Sequence, residues 1–272
     1  MARQDRSGSR SPDWKKDNKC GHGLHGWLFG QGDHDCSSTV GDADAKWLVV
    51  EVGLSDLIAL GGKVKFPRCT VRHIGDKASA TQFLIANEPR AAGVAVIGAT
   101  LQAGDKELCQ VGAYGTATAG DWGTATAGYK GTATAGDWGT ATAGDWGTAT
   151  AGNEGTATAG YKGTATAGDW GTATAGNEGT ATAGNEGTAT AGNEGTATAG
   201  YKGTATAGDW GTATAGNEGT ATAGKKGEIQ IRYWDEKTER YRTVIGYIGE
   251  DGLEPGVAYK LDDNHRFVKA GG

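Results

Sequence analysis

From residue 115 to residue 226 the chain repeats one eight-residue cycle of polar and apolar positions, Gly-Thr-Ala-Thr-Ala-Gly plus two variable residues, fourteen times without a break. Within a cycle the alternation Thr116, Ala117, Thr118, Ala119 has the period of two that sends successive side chains to opposite faces of a strand. The flanking glycines, such as Gly115 and Gly120, stand where the chain must turn, and are read as the residues that take positive φ at the corners. Each cycle therefore predicts a short strand and a corner. A fixed short period is a structural unit that buries its apolar side only against its neighbours.

One strand and one corner cannot close a coil, so two cycles are needed for a two-sided coil of sixteen residues, and fourteen cycles give seven coils. At the roughly 4.8 Å separation of adjacent strands, seven coils make a rod about 34 Å long with two parallel sheets back to back. A three-sided coil is disfavoured because fourteen is not divisible by three. The predicted fold class is mainly β: a parallel β-solenoid of sixteen-residue coils with a small α+β capping domain before it and a β-hairpin cap after it.

The edges of the array decide which side chains face inward. Continued backward, the third and fifth positions hold Leu101 with Ala103, and Cys109 with Val111; continued forward they hold Ile229 and Ile231, while Glu228 and Gln230 fall on threonine positions. Alanine positions grow larger and stay apolar, so alanine is predicted inside and the larger residues are predicted to plug the terminal coils. Leu108, on a threonine position, breaks the rule and is read as a place covered by the N-terminal domain.

Threonine then stands outside in two columns per face. One set is Thr116, Thr118, Thr132, Thr134, Thr148, Thr150, Thr164, Thr166, Thr180, Thr182, Thr196, Thr198, Thr212 and Thr214. The other is Thr124, Thr126, Thr140, Thr142, Thr156, Thr158, Thr172, Thr174, Thr188, Thr190, Thr204, Thr206, Thr220 and Thr222. Each forms a grid of about 4.8 Å between coils and about 6.6 Å along a strand. Threonine is also a good soluble strand former, because its branched Cβ favours extended backbone. A flat lattice of hydroxyls and methyls is, beyond that, a surface able to order water or bind ice.

The units GTATAGDW, GTATAGYK and GTATAGNE resemble the tandem repeats of bacterial ice-nucleation proteins, in which a Thr-x-Thr segment is followed by Ala-Gly and a variable pair. The resemblance covers the array. It departs in having Gly where Ser is usual, in repeating Thr-Ala-Thr in every unit, and in having few coils, which implies weak nucleation even where ice is bound. The array and the segment IQIRYWD also resemble bacterial and phage-associated proteins with GTATAG arrays, which implies a fold and no activity.

The variable pairs are Asp-Trp five times, Asn-Glu five times, Tyr-Lys three times and Lys225-Lys226 once, and their net charge of −5 nearly accounts for the −6 of the chain. Sixteen-residue coils place Trp122, Trp138 and Trp170 along one corner, and Tyr129, Trp146 and Tyr161 along the other. These edges predict aromatic stacking and offer a surface for a side-by-side homodimer, with end-to-end assembly through the open ends of the rod as the other route.

The remainder of the 272 residues divides into a polar, disordered lead (1–19), a small α+β domain (20–98), the solenoid (99–234) and a β cap (235–272). More than half of the fifty glycines occupy fixed places in the repeat, so composition does not signal disorder there. Residues 1–19 lack the apolar core of a signal peptide and no apolar run is long enough to cross a membrane, so the expected location is cytoplasmic, with no membrane partner. The lead's charge is too mixed for nucleic-acid binding.

Cys20, His22, His25, His34 and Cys36 are metal-ligand types without the paired spacing of a zinc site; no metal or cofactor is expected, nor a Cys20–Cys36 disulfide in a reducing compartment. Strands are predicted at Lys46–Val52 and Lys63–Ile74, the latter carrying Pro67, with a helix over Lys77–Asn87 capped by Asp76. CGHGLHG resembles a Gly-Leu-His element of some ADP-ribosyltransferase-like domains, which implies a cofactor-ribose contact for His25 with Glu51 the nearest catalytic carboxylate. A third function class is a carbohydrate-binding module built on corner aromatics or on Tyr233, Trp234, Tyr241, Tyr247 and Tyr259. The leading reading is a non-enzymatic structural protein with no catalytic residues, a rigid spacer or self-assembling scaffold presenting threonine faces, with the ordering of water or ice as its sharpest version.

Overall fold

A computed structural model describes residues 10–33, 39–42 and 44–271. The chain forms two compact units, the first comprising residues up to Thr100 with Val111–Gly115, the second Leu101–Gln110 with Thr116–Gly272.

In the first unit, β1 (Leu24–Gly26), β3 (Ile58–Ala59) and β4 (Val64–Phe66) form an antiparallel sheet in the order β1-β4-β3, and β2 (Trp47–Glu51) pairs antiparallel with β5 (Thr70–Gly75). The single strand expected over 63–74 is thus two strands in two sheets, divided at Pro67, which has no N–H to give a ladder. Helix α1 (Lys77–Asn87) starts where expected: Asp76 accepts a hydrogen bond from the Ser79 N–H at 2.7 Å. Phe83 stacks on His73 of β5, with ring centroids 4.9 Å apart.

The expected disordered lead is held from residue 10 onward, while residues 1–9 lie outside the described ones. Ser11 N–H donates to Pro67 O at 2.7 Å, and the fully buried Lys65 gives its Nζ to Asp17 at 2.6 Å and to Lys19 O at 3.0 Å. That ammonium, with the Lys19 amide, holds the Asp17 carboxyl well below the usual carboxylate range. A lysine can be buried at no exposure only because both partners meet its charge.

The second unit is the solenoid with its cap. Strands β6 (Thr100–Gln102) and β7 (Leu108–Gln110) come first; β8 (Thr116–Thr118) to β21 (Thr220–Ala223) follow, one per repeat; then comes β22 (Glu228–Asp235). Alternate strands join the same parallel sheet in strict register, Thr132 on Thr116 and Thr148, Thr140 on Thr124 and Thr156, a step of sixteen residues. The two-sided coil predicted by the period is therefore present. Nine parallel strands form one sheet and eight the other.

Alanine faces in. Ala149 and Ala157 have no exposure, and the fifth-position alanines, such as Ala151, have 4% or less. A buried methyl contributes only about 0.8 kcal/mol, so such thin sheets depend on the backbone ladders and on close approach. The terminal plugs are buried as expected: Cys109, Val111, Ile229 and Ile231 are 0–2% exposed, with Leu101 intermediate. Leu108, expected to be covered, is 66% exposed and lies on the outer face like the threonines it replaces.

The corners work differently from expectation. Positive φ falls on the eighth residue of each cycle, among them Trp122 (60°), Lys130 (51°) and Glu154 (54°), and not on the array glycines. Glycine is required there for room: a Cβ on Gly155 would sit 2.8 Å from the Ala151 Cβ and 2.9 Å from Gly152 O.

The cap turns the parallel stacks antiparallel. β22 continues one sheet in parallel with Thr212–Ala215, and β23 (Arg240–Tyr247) pairs antiparallel along all of it. In the other sheet β24 (Tyr259–Leu261) follows β21 and pairs with β25 (Phe267–Lys269). The predicted cap hairpin is thus present in β22 and β23.

Candidate functional site

Two outer faces carry the threonines, fourteen on each, from seven alternate repeats per sheet. The strict register stacks them in straight columns, second-position threonines largely exposed and fourth-position ones half-buried. Among the described residues one array threonine gives its hydroxyl to a side-chain acceptor, Thr214 to Gln230 Oε1 at 3.4 Å, in the last coil. The grid is regular because nothing inside it varies: every inward residue of the repeat is alanine, so neighbouring coils have no reason to shift.

A second feature, missed in the sequence, holds that register. The seventh residue of a cycle is Asp or Asn in ten of fourteen repeats, and its side-chain oxygen accepts the N–H of the seventh residue one coil on. Asp137 N–H donates to Asp121 Oδ1 at 3.0 Å, Asn153 N–H to Asp137 Oδ1 at 2.7 Å, and Asp169 N–H to Asn153 Oδ1 at 3.0 Å. The opposite corner repeats this, with Asn193 N–H on Asn177 and Asp209 N–H on Asn193, each at 3.0 Å. Asp and Asn serve alike because each presents an oxygen at the same distance from the backbone. Their interchange at a fixed place was the available signal.

The corners also differ in charge and in aromatic contact. The one running through Asp121 and Glu218 bears six carboxylates against Lys202, whereas the one from Lys130 to Lys226 has four of each sign. On the first, Trp122 and Trp138 stack with centroids 5.0 Å apart and planes within 11°. On the second, Trp146 meets Tyr161 edge-on at 6.2 Å and Lys162 Nζ lies 5.0 Å from the Trp146 ring. Lys162 also pairs with Glu178 Oε2 at 3.0 Å, one coil on; Tyr161 and Lys162 together hold the Glu178 carboxyl below its ordinary value. Trp170 has glutamates above and below it in its column, Glu154 and Glu186.

The other candidate groups do not assemble. His25 lies in β1 opposite Lys65, with its Nε2 buried and no hydrogen-bond partner; burial and the charges of Lys63 and Lys65 lower its pKa, favouring the neutral ring. Glu51 lies in a different sheet and is engaged by Arg72, whose Nε donates to it at 2.6 Å. His34 and Cys36 fall outside the described residues, and no group of three or more metal-ligand side chains is placed to hold an ion among the rest. Of the cap aromatics, Tyr233 stacks on His265 at 3.7 Å, Trp234 meets Tyr241 edge-on at 5.0 Å, Tyr259 is 3% exposed with its hydroxyl accepting the Glu254 N–H, and Tyr241 and Tyr247 are exposed. Among the described residues no helix is long and apolar enough to cross a membrane.

No family model matches the chain, and no solved structure matches it. Curated relatives do. An ice nucleation protein of Pseudomonas syringae is 42% identical over 77 residues, 28% of this chain and 6% of that protein. One of Pseudomonas fluorescens is 43% identical over 76 residues, 27% of the chain and 6% of the relative, and ice nucleation protein InaU of Pantoea ananas is 40% identical over 74 residues, 26% and 7%. The chain thus spans a small fraction of the length of the relatives it matches. A β-solenoid built on a regular sixteen-residue coil, with repeats resembling those of ice nucleation proteins, is what the fold and the relatives jointly establish.

Proposed function

We propose that the protein is a non-enzymatic structural solenoid whose threonine faces order water and bind ice. The observation that carries the reading is the registered double column of outward threonines, fourteen per face, on sheets kept uniform by an all-alanine interior. Threonines, each with a hydroxyl and a methyl, repeat at roughly 4.8 Å along the rod and about 6.6 Å across it, so adjacent waters meet identical neighbours and adopt one arrangement. The names of the relatives, all ice nucleation proteins, support the same class of surface. Few coils are present, so the expected activity is ice binding with weak nucleation.

The test is thermal hysteresis and droplet freezing on the whole chain and on two triple variants. Thr124→Lys, Thr140→Lys and Thr156→Lys place bulky charges on consecutive coils of one face. Thr132→Lys, Thr148→Lys and Thr164→Lys do so on the other. Loss of hysteresis in one set identifies the working face; identical freezing of all three proteins removes the reading.

A further inference from the structure

The hairpin that covers the last coil does not end its sheet; it moves the edge outward. β23 is the outermost of ten strands and eight residues long, far longer than the three-residue β25 that ends the other sheet. Ile248 N–H donates to Gly227 O at 2.9 Å. By the two-residue alternation, Arg242, Val244 and Gly246 point their amides the same way, toward β22, while Tyr241, Thr243, Ile245 and Tyr247 turn theirs to the open side. Those four side chains share one face, and three are large and well exposed: Tyr241 54%, Ile245 49% and Tyr247 52%. Long open edges that present exposed aromatic and aliphatic side chains are what natural sheets avoid unless they are used.

We propose that β23 is the pairing edge of a tail-to-tail homodimer, in which two copies meet antiparallel about Val244. This register sets Tyr241 against Tyr247 of the partner subunit and Thr243 against Ile245 of the partner subunit, so all four residues with outward amides find partners. Shifting it by two residues sets Tyr247 opposite Glu239 of the partner subunit, outside the strand. Charge favours the same alignment. Arg242 is held by its own Asp235 at 2.6 Å and meets Gly246 of the partner subunit, so no arginines oppose. The exposed Arg240 falls beside the acidic turn Glu250–Asp251 that follows the partner strand. The pairing edge lies two strands beyond Thr212 and Thr214, the last threonines of its sheet, so it stands or falls separately from ice binding, and it gives the end-to-end assembly expected of the rod a defined contact.

The test is mass measurement by light scattering on the full chain. The expected mass is twice 27.7 kDa, and Thr243→Pro, which removes an outward N–H and leaves the ladder to β22 intact, is expected to return it to the monomer value. Ile245→Lys provides a second variant with no backbone change. The two Val244 residues would form a non-hydrogen-bonded pair with Cα atoms about 4.5 Å apart, within disulfide reach. Val244→Cys is therefore expected to cross-link on oxidation above the wild-type background, and Tyr247→Cys is not. A monomer at all concentrations up to about 1 mM, a dimer that survives both edge variants, or no cross-link at 244 overturns the proposal. The triple threonine variants are expected to keep the dimer mass.

Discussion

Gly152→Ala tests the physical account of why the array tolerates glycine alone at the sixth place. Gly152 does not occupy the left-handed region, so alanine would adopt its backbone freely. The obstacle is space: the new Cβ would lie 2.2 Å from Asp137 Oδ1, 2.7 Å from Asp137 N and 2.9 Å from Asp137 Cα. The carboxylate can rotate away, but the backbone nitrogen can yield only if the coils part, and ordinary contact begins at 3.4 Å, a gap of about 0.7 Å. Gly152 N–H bonds Gly136 O at 3.1 Å, and a displacement of that size stretches the bond out of range. Rotation of Asp137 costs the 2.7 Å bond from Asn153 N–H as well. Two hydrogen bonds at 1–2 kcal/mol each, once their groups are left poorly satisfied, give about 2–4 kcal/mol. Solenoid coils are stabilised by nearest neighbours, so the loss should be local. Hydrogen exchange of the amides around 136–153 should speed by roughly 30-fold or more, with distant coils unaffected. Gly256→Ala is the control: it has positive φ (73°) and nothing within 4 Å, so it bears only the left-handed penalty of about 1–2 kcal/mol. If Gly152→Ala exchanges no faster than wild type, or perturbs less than the control, the close-approach argument is wrong.

Two further outcomes follow from the corner ladder and from the cap. Asp137→Ala should destabilise its coil by about 1 kcal/mol, whereas Asp137→Asn should match wild type, because the Asn153 N–H needs an oxygen and not a charge; equal losses in chemical denaturation would show that charge matters. Asp235 has its carboxyl lowered from 3.8 to about 2, first by the Thr238 hydroxyl and further by Arg242. Its folded pKa is depressed, so its contribution is fully present above pH 3.8 and fades as pH falls toward 2. Protection of the amides in the turn between β22 and β23, taken relative to their intrinsic exchange rate at each pH, should fall across that window in wild type, and Asp235→Asn should flatten the profile.

Much of the architecture was legible because the repeat leaves few choices. A period of two inside a period of eight fixes strand and corner, the even count fixes the two-sided coil, and the larger residues at the array ends reveal that alanine, not threonine, faces inward. Pattern alone also placed α1 and the cap hairpin, where Asp76 and the alternation around Ile229 and Ile231 are local signals. What needed the tertiary structure were contacts one full coil away. Glycine at the sixth place reads as a conformational need until the backbone of the neighbouring coil is seen to fill the space of its Cβ, and the left-handed turn passes to Trp122 or Glu154 instead. The role of Asp and Asn is invisible for the same reason, since the amide each satisfies belongs to a residue sixteen places on. Burial of Lys65 against Asp17, separated by 48 residues, turned part of an expected loose lead into packed chain. Sequence determines the period, and with it the alternation of faces; only the stacked coils decide which groups come within reach of each other, because those distances arise from closure of the coil and not from any neighbour along the chain.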